Sequence, residues 1–364
     1  MNLEAVQKLD RIHSYPAKFT VDLALKLIEK YSKVGDVVYD PFLGSGTTTL
    51  AAKLLNRQGV GTDINHIAIL ISKFKILHLT EKNINSLYQF INDFEKSYLE
   101  EIKNIELFYY PSIQHWFCDD SIRVLSLIKK QIQSLENENE QIFCKLVMSA
   151  IINNASNQES DTRYAAIQKP KLNIDYVAQL FIKKFYTCMI IYKENMQFLK
   201  LNTKSEAFLH DSKKCTEVIP KNSIDLILTS PPYPNTYDYY LYHKHRMNWL
   251  DYDVNFSKQC EIGSRREFSS LKKPKEKFDD DMFEILSECN KTLKQNGIAV
   301  IVMGDGKIQG EIYDAKSNME AICSKLNWKL VDYSYTMLDQ TSRSFQKSYR
   351  TKGKKEHVLV FKKI

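Results

Sequence analysis

The fold is decided by residues 36–63, which read DVVYDPFLGSGTTTLAAKLLNRQGVGTD. The stretch begins with a short β-branched and aromatic run, residues 36–39, which is typical of a buried strand. A glycine-containing turn follows, and the apolar residues 48–55 then predict a helix. Residues 59–63 read as a second strand that ends in an acidic residue. Strand, helix and strand in this order form a βαβ unit, which predicts a parallel, doubly wound α/β sheet.

The other strand signals lie far from this unit along the chain. Apolar runs that predict strands occur at residues 207–209, 224–228, 298–303, 329–335 and 358–361. A helix is predicted ahead of the unit, at residues 20–33, because apolar side chains recur there at helical spacing. We therefore expect a mostly parallel, seven-stranded Rossmann-like sheet, formed by residues 1–75 and 202–364.

Residues 76–201 interrupt the sheet and predict a mostly helical insertion. This segment is poor in glycine and proline, and residues 121–135 and 176–199 have helical periodicity. Residues 153–171 lack periodicity and are predicted to form an exposed loop. Two roles stay open for the insertion, namely recognition of a target and association with another subunit.

The composition is that of an ordinary globular protein, with 43% hydrophobic and 26% charged residues. Apolar runs are shorter than the roughly 18 residues that span a bilayer, and the first residues lack the apolar stretch of a signal peptide. We therefore expect a cytoplasmic protein. The seven cysteines form no C-x-x-C pair, so neither a zinc site nor a disulfide framework is predicted.

The net charge of +7 is concentrated in two segments of the chain. Residues 264–277 and residues 341–356 each contain six lysines and arginines. Such runs are typical of solvated loops, and also of loops that contact the phosphates of a nucleic acid. The charge pattern alone leaves both interpretations open.

The turn at residues 40–47 has the features of a ligand-binding loop. Gly44 and Gly46 have no Cβ, so the backbone between a strand and a helix can approach a ligand closely. Asp63 ends the next strand, where a carboxylate suits a hydrogen bond to a ribose diol. This spacing also permits a dinucleotide enzyme, whereas a phosphate-binding P-loop is excluded because no Gly-Lys-Ser/Thr is present.

A second constellation, TSPPY at residues 229–233, directly follows the strand predicted at residues 224–228. Two prolines cannot continue a central strand, so they form a rigid turn at its carboxyl end, where ligands bind in open α/β sheets. The Ser230 hydroxyl and the Pro231 carbonyl can accept hydrogen bonds from an amino group, and the Tyr233 ring can stack on a base. Acceptors of this kind direct the nitrogen lone pair of an aromatic amine towards an electrophile.

The two motifs together, DPFLGSGT and TSPPY, resemble the amino-group DNA methyltransferases, most closely the cytosine-N4 branch. The segment HSYPAKF, residues 13–19, also resembles the part of these enzymes that walls the methionine end of S-adenosylmethionine. In that family, serine before Pro-Pro-Tyr is more frequent in cytosine-N4 enzymes and aspartate in adenine-N6 enzymes. The resemblance covers roughly residues 10–75 and 205–364, outside the insertion.

The resemblance implies S-adenosylmethionine as cofactor, no metal, and double-stranded DNA as substrate, with a companion restriction endonuclease as an expected partner. It implies these cofactor-binding residues: Tyr15, Lys18, Phe19, Asp40, Pro41, Phe42, Gly44, Gly46, Thr47, Asp63, Ile64 and Asp211. It implies a catalytic turn of Ser230, Pro231, Pro232 and Tyr233. Tyr237, Tyr239, Tyr240 and Tyr242 follow this turn and are candidates to line it.

The predicted DNA contacts are cationic side chains that follow the catalytic turn or lie in the two basic runs. They are His243, Lys244, Arg246, Arg265, Arg266, Arg343, Lys347, Arg350 and Lys352. Three alternatives to cytosine-N4 methylation stay open from the sequence. They are adenine-N6 methylation, methylation of a guanine amino group in RNA, and a catalytically silent DNA-binding module.

Overall fold

The computed structural model describes residues 2–16, 19–170, 172–199, 203–337 and 354–364. The chain divides into two compact units. The sheet unit consists of Tyr15–Ser72, Leu201–Tyr240 and Asn255–Ile364, and the helical unit consists of Met1–Ser14, Lys73–Lys200 and Leu241–Val254.

Seven strands form the main sheet of the sheet unit. They are β1 (Val37–Asp40), β2 (Gln58–Asp63), β3 (Glu206–Leu209), β4 (Ile224–Thr229), β5 (Leu293–Gly304), β6 (Trp328–Met337) and β7 (Lys355–Lys363). Their spatial order is β6-β7-β5-β4-β1-β2-β3. Neighbours pair in parallel except at β7, which is antiparallel to both β5 and β6. The predicted fold class, a mostly parallel seven-stranded sheet, is confirmed.

The helices of the chain, in order, are α1 (Leu3–Asp10), α2 (Val21–Tyr31), α3 (Thr47–Leu54), α4 (His66–Ile76), α5 (Glu81–Glu101), α6 (Ile113–Trp116), α7 (Asp119–Gln133), α8 (Glu138–Ile151), α9 (Ile174–Leu199), α10 (Tyr239–Trp249), α11 (Val254–Cys260), α12 (Glu276–Thr292) and α13 (Ala315–Lys325). Within the described residues, none of these helices combines the length and the apolar character that crossing a membrane requires.

The order of the strands places two loops side by side. β1 lies between β2 and β4, with Asp40 opposite Gly61 of β2 and Val38 opposite Leu226 of β4. β2 and β3 lie on one side of β1, whereas β4 lies on the other side. The loops after β1 and β4 therefore leave the carboxyl edge of the sheet next to each other. Ligands of open α/β sheets bind at such a switch point. The two motifs predicted to carry the chemistry are these two loops.

The helical unit holds the N-terminus of the chain, which the sequence analysis assigned to the sheet. The buried Lys75 ammonium pairs with Asp10 of α1 at 2.7 Å. The Asn195 side chain of α9 donates to the carbonyl of Ala5 at 3.0 Å. Residues 241–254 also belong to this unit. The predicted boundaries therefore differ from the observed units because these contacts are made between residues distant in sequence.

Residues 153–170, the described part of the loop predicted at residues 153–171, are not simply an exposed loop. Gln158–Ser160 and Arg163–Ala166 pair as a short antiparallel hairpin. Several neighbouring side chains, among them Ser156 and Gln158, are buried. The prediction was wrong because strands this short carry too few residues to show an alternating pattern.

Candidate functional site

Asp40, the last residue of β1, connects the two loops. Its Oδ1 accepts hydrogen bonds from the Phe42 amide at 3.0 Å and from the Thr229 hydroxyl at 2.6 Å. Its Oδ2 accepts from the Thr48 hydroxyl at 2.7 Å. Burial raises the pKa of Asp40 to about 6, although these hydrogen bonds oppose the rise. Asp40 therefore holds the glycine loop, the start of α3 and the end of β4 together.

The two glycines of the β1–α3 loop meet different constraints. Gly44 has φ +50°, and a Cβ there would lie 3.3 Å from the Tyr15 ring. Gly46 has φ +76°, and a Cβ there would lie 2.6 Å from Ser72 Oγ and 2.9 Å from Ser72 Cα. Glycine is needed at residue 46 both for the left-handed backbone and for the close approach to α4.

Asp63, at the end of β2, faces the glycine loop. Its Oδ2 accepts from the Gly44 amide at 2.7 Å and its Oδ1 from the Asn65 amide at 2.8 Å. Burial is the main cause that raises the pKa of Asp63 to about 6. A carboxylate oxygen can accept more than one hydrogen bond, so each oxygen keeps capacity for a further donor such as a ribose hydroxyl.

A cavity lies against both loops. Of the predicted cofactor-binding residues, it is lined by Tyr15, Pro41, Phe42, Gly44, Asp63, Ile64 and Asp211. Four of the predicted residues do not line the cavity, namely Phe19, Asp40, Gly46 and Thr47. Phe19, Asp40 and Thr47 are buried, and Gly46 forms the turn before α3. Lys18 lies outside the described residues.

Some residues of the predicted catalytic turn line the cavity and others do not. Ser230 and Pro232 line the cavity, whereas the buried Pro231 and the half-buried Tyr233 do not. The Tyr233 hydroxyl donates to Glu356 Oε1 at 2.7 Å. Burial, and then the Glu356 carboxylate, raise the pKa of Tyr233 well above its ordinary value. The Tyr233 hydroxyl is therefore a proton-bearing donor at neutral pH.

Aromatic and acidic side chains form another part of the wall. The Tyr15 and Tyr239 rings stack at 5.7 Å, and both Tyr239 and Tyr240 line the cavity. Glu261 Oε1 accepts from the Tyr239 amide at 2.5 Å, and its Oε2 is buried with no hydrogen-bond partner among the described residues. Burial, and then Asp238, raise the pKa of Glu261 well above its ordinary value.

Several residues of this wall belong to no sequence motif and were not predicted. They are Asn65, Ser212, Ser257, Cys260, Glu261, Ile262 and Ile285. Glu261 follows α11 in a stretch with no recognisable motif, and only the fold brings it to the cavity. Ser257 Oγ donates to the Ile64 carbonyl at 2.9 Å, which fixes α11 beside the end of β2.

The residues present fit S-adenosylmethionine. The missing Cβ of Gly44 leaves room between the loop and Tyr15, and both residues line the cavity. Asp63 offers acceptors for a ribose diol, Phe42 and Ile64 offer apolar surface for a purine, and Asp211 offers a carboxylate for an amino group. Ser230 lines the same cavity, so a base presented there would meet the cofactor.

Two predicted DNA contacts are corrected by the structure. His243 and Arg246 are 0% and 2% exposed inside the helical unit. Arg246 pairs with Asp161 and donates to the Ser149 carbonyl at 3.1 Å, so its charge is neutralised within the unit. Neither side chain can contact a phosphate in this structure.

The positions of the other predicted DNA-binding residues neither support nor exclude a contact with DNA. Lys244 is half-buried, with its ammonium 5.8 Å from the centre of the Tyr164 ring. Arg265 and Arg266 are half-buried in the sheet unit, where the Arg266 amide donates to Asp238 Oδ1 at 2.8 Å. Arg343, Lys347, Arg350 and Lys352 lie outside the described residues.

Known proteins resemble the chain over much of its length. It is 26% identical to the type II methyltransferase M.MvaI of Kocuria varians over 278 residues, 70% of this chain and 60% of that protein. It is 27% identical to the type II methyltransferase M.BsoBI of Geobacillus stearothermophilus over 256 residues, 62% of this chain and 49% of that protein. The chain thus matches about half to three-fifths of the length of these two relatives.

Among solved structures, the rRNA methyltransferase AviRa of Streptomyces viridochromogenes superposes with a TM-score of 0.38 at 11% identity, covering 99% of this chain and 93% of that one. A sequence model of the N6/N4 DNA methylases matches residues 2–74 and 224–364, which is more than half of the chain and includes both motifs. The match confirms the predicted family and S-adenosylmethionine as its cofactor. The chain belongs to the DNA methylase family of N6/N4 methyltransferases.

Proposed function

We propose that this protein transfers a methyl group from S-adenosylmethionine to the exocyclic amino group of a base in double-stranded DNA, with cytosine N4 favoured. The observation that carries the proposal is the position of Ser230. It lines the same cavity as Gly44 and Asp63, and Asp40 ties its turn to the cofactor loop through Thr229. Nucleophile-binding and cofactor-binding groups are therefore held in one rigid arrangement, as transfer between two bound molecules requires.

The residues of the catalytic turn prepare the amine. The lone pair of an aromatic amine is delocalised into the ring, so the nitrogen is a poor nucleophile until its geometry becomes tetrahedral. The Ser230 hydroxyl lines the cavity and accepts one amine hydrogen, which directs the lone pair into the cavity. Bound S-adenosylmethionine supplies a methyl group already activated by its sulfonium, so neither a metal nor a covalent enzyme intermediate is needed.

Access of the base requires that it leave the duplex. A paired base cannot reach a cavity behind a strand-end turn, so the target nucleotide is flipped out of the stack. Lys244, Arg265, Arg266 and the four cations at residues 343–352 are the proposed phosphate contacts. We assign the helical insertion to target recognition, and the type II names of the relatives favour a companion endonuclease for the same site.

Cytosine rather than adenine rests on Ser230 alone, by the tendency of the resembled family. Adenine-N6 methylation is the second candidate, because adenine offers an equivalent amine next to a ring nitrogen. The relatives are named as type II methyltransferases without their target base. Identification of the methylated nucleoside therefore has to distinguish cytosine from adenine as the target base.

The test is methyl transfer from radiolabelled S-adenosylmethionine to unmethylated bacteriophage DNA, followed by digestion to nucleosides. We expect label in N4-methylcytosine. Label in N6-methyladenine would overturn the choice of base, and label only in RNA substrates would overturn the choice of DNA. Absence of label with intact cofactor binding would support a silent binding module.

A matched pair of variants tests the role of the turn. Ser230→Ala should lower kcat by about a hundredfold, the size of loss when one preorganised hydrogen bond is removed from a transition state. Ser287→Ala removes an exposed α12 hydroxyl that donates to the Phe283 carbonyl of its own helix, and it should leave kcat unchanged. Equal rates for the two variants would contradict the proposed role of Ser230.

A further inference from the structure

A groove next to the catalytic turn carries two lysines that have no role in the cavity. It lies against the short hairpin that follows β5, formed by Gly306–Ile308 and Glu311–Tyr313. We call it the lysine groove, and its walls are Asn235, Phe268, Ser269, Lys272, Lys307, Gln309 and Gly310. These wall residues include no acidic side chain, so the groove presents positive charge to its surroundings.

The topology of the sheet places the lysine groove beside the catalytic turn. β5 is parallel to β4, so the hairpin after β5 and the turn after β4 leave the same edge of the sheet. Pro234 packs on the first residue of the hairpin, since a Cβ at Gly306 would lie 2.7 Å from Pro234 Cγ. Five residues of chain span at most about 18 Å, so Asn235 in the groove wall lies within that distance of Ser230.

Two side-chain amides fix the walls of the lysine groove to each other. Asn235 Nδ2 donates to the Lys307 carbonyl at 2.8 Å, and Asn235 Oδ1 accepts from the Ser269 hydroxyl at 2.8 Å. From the other wall, Gln309 Nε2 donates to the Lys273 carbonyl at 3.1 Å. The backbones that carry the two lysines are therefore held at a set spacing, and the same bonds connect them to the chain that leaves the catalytic turn.

The two lysines of the groove have no counter-charge within the described part of the chain. Lys272 is exposed and Lys307 is half-buried, and neither forms an ion pair there. Other lysines of the sheet unit are paired, since Lys213 and Lys277 both contact Asp281. A partly buried ammonium without a partner loses hydration and gains little in return, so an anion from outside would stabilise it.

Charge is divided along this edge of the sheet. On the side of β1 and β2, the cavity is lined by Asp63, Asp211 and Glu261, and its described wall residues include no cationic side chain. That side suits the positive sulfonium of S-adenosylmethionine. The lysine groove has the opposite charge and lies on the side of β5, and the turn after β4 lies between the two. A polyanion that reaches Ser230 is therefore attracted on the side of β5 and repelled on the side of the cavity.

We propose that the lysine groove binds phosphates of the DNA strand that carries the target base, next to the flipped nucleotide. The inference rests on the proposed function and adds Lys272 and Lys307 to its DNA contacts. Phosphates of one strand are about 3.4 Å apart along the helix axis, so a strand whose base reaches Ser230 has several phosphates within about 18 Å of it. The groove receives those on the side of the turn that faces away from the cofactor.

The test measures binding of the full-length protein to a short fluorescent DNA duplex, by anisotropy over a range of salt concentrations. Each phosphate contact adds about 0.9 to the slope of log affinity against log salt. Lys272→Gln and Lys307→Gln should each reduce the slope by about 0.9, which weakens binding about eightfold at about 0.1 M salt. The double variant should lose about 1.8 in slope. Unchanged slopes would overturn the proposal.

Two sets of variants separate a local contact from net charge and from shape. Lys329→Gln removes the same charge from an exposed residue at the start of β6, which is the opposite edge of the sheet, and should leave the slope unchanged. An equal loss in K329Q would make net charge the cause and would overturn the proposal. Lys272→Arg with Lys307→Arg keeps both charges and should retain the wild-type slope, whereas a loss as large as that of the glutamine variants would contradict a phosphate contact.

Enzyme assays keep this result separate from that of the proposed function. The KM for bacteriophage DNA should rise in the double glutamine variant. Its dissociation constant for S-adenosylmethionine, measured by calorimetry, should stay within about twofold of wild type, as expected for separate sites. Methyl transfer by the wild type with an unchanged slope and KM in the double variant would overturn only the role of the groove. A wild type that binds the duplex but transfers no methyl group to DNA would overturn the proposed function.

Discussion

Gly46→Ala is expected to destabilise the protein by considerably more than Gly35→Ala. Both glycines have a left-handed backbone, with φ +76° and +88°. Alanine in that conformation costs about 1–2 kcal/mol. They differ in their surroundings, because a Cβ at residue 35 meets nothing within 4 Å, whereas one at residue 46 would lie 2.9 Å from Ser72 Cα.

The difference between the two variants isolates the steric cost. Ser72 Cα belongs to the backbone of α4 and cannot rotate away, so α4 or the loop must move. Forcing an extra methyl group into a packed region costs about 1–3 kcal/mol. We therefore expect a loss of about 2–5 kcal/mol in the free energy of unfolding for G46A, and about 1–2 kcal/mol for G35A.

Cofactor binding should separate the variants further. Ser72 Oγ donates to the Gly44 carbonyl at 3.1 Å, so displacing Ser72 moves the loop that lines the cavity. The dissociation constant for S-adenosylmethionine should rise at least about tenfold in G46A, as a cost of 1.4 kcal/mol or more implies. It should stay within about twofold in G35A. Urea unfolding and calorimetry measure both quantities, and equal losses in the two variants would refute the steric argument.

Three further outcomes follow from the site and its surroundings. The affinity for S-adenosylmethionine should rise as the pH rises through about 6, because Asp63 has a raised pKa and only its ionised form accepts two hydroxyls. In calorimetry, the affinity of Asp63→Asn should not change with pH over this range. Arg246→Met should cost about 3 kcal/mol of unfolding free energy, because it leaves the Asp161 carboxylate unpaired, and Asp161→Asn in the same chain should recover part of that loss in urea titrations. Arg266→Ala should weaken binding to all DNA sequences alike and reduce the slope of log affinity against log salt by about one, and an unchanged slope would exclude a phosphate contact.

The elements that the sequence predicted are those with local signals. Strands such as β4 and the turn after it can be read from consecutive residues, since Ile224–Thr229 is apolar and two prolines follow. The βαβ unit was predicted for the same reason. Most of the cavity residues found in advance belong to these strand-end loops, where the pattern of a family and the physics of a parallel sheet give the same answer; Tyr15, Tyr239 and Tyr240 lie outside them.

The residues that the sequence did not predict reach their places through tertiary structure. The charge of Arg246 made it look like a cation on the surface, because nothing near it in the sequence shows that it is buried. Its partner Asp161 lies 85 residues away, in a hairpin without periodicity. Glu261 and Glu356 stand in stretches without a motif, and no local rule relates Glu261 to the cavity or Glu356 to Tyr233. Long-range pairing of acidic and hydroxyl groups depends on strand register and helix packing, which single-sequence patterns do not encode.

Asp40 gives a physical reason why the two motifs occur together. The family resemblance assigned it to the cofactor, but its oxygens are used by Phe42, Thr48 and Thr229, and it does not line the cavity. Its buried carboxylate is stable only while these donors surround it, because an unpaired buried charge is costly. A change in either loop therefore affects the other through Asp40. The aspartate of the first motif and the threonine of the second form one structural unit, so the distance between the cofactor loop and Ser230 is set by a hydrogen bond of 2.6 Å.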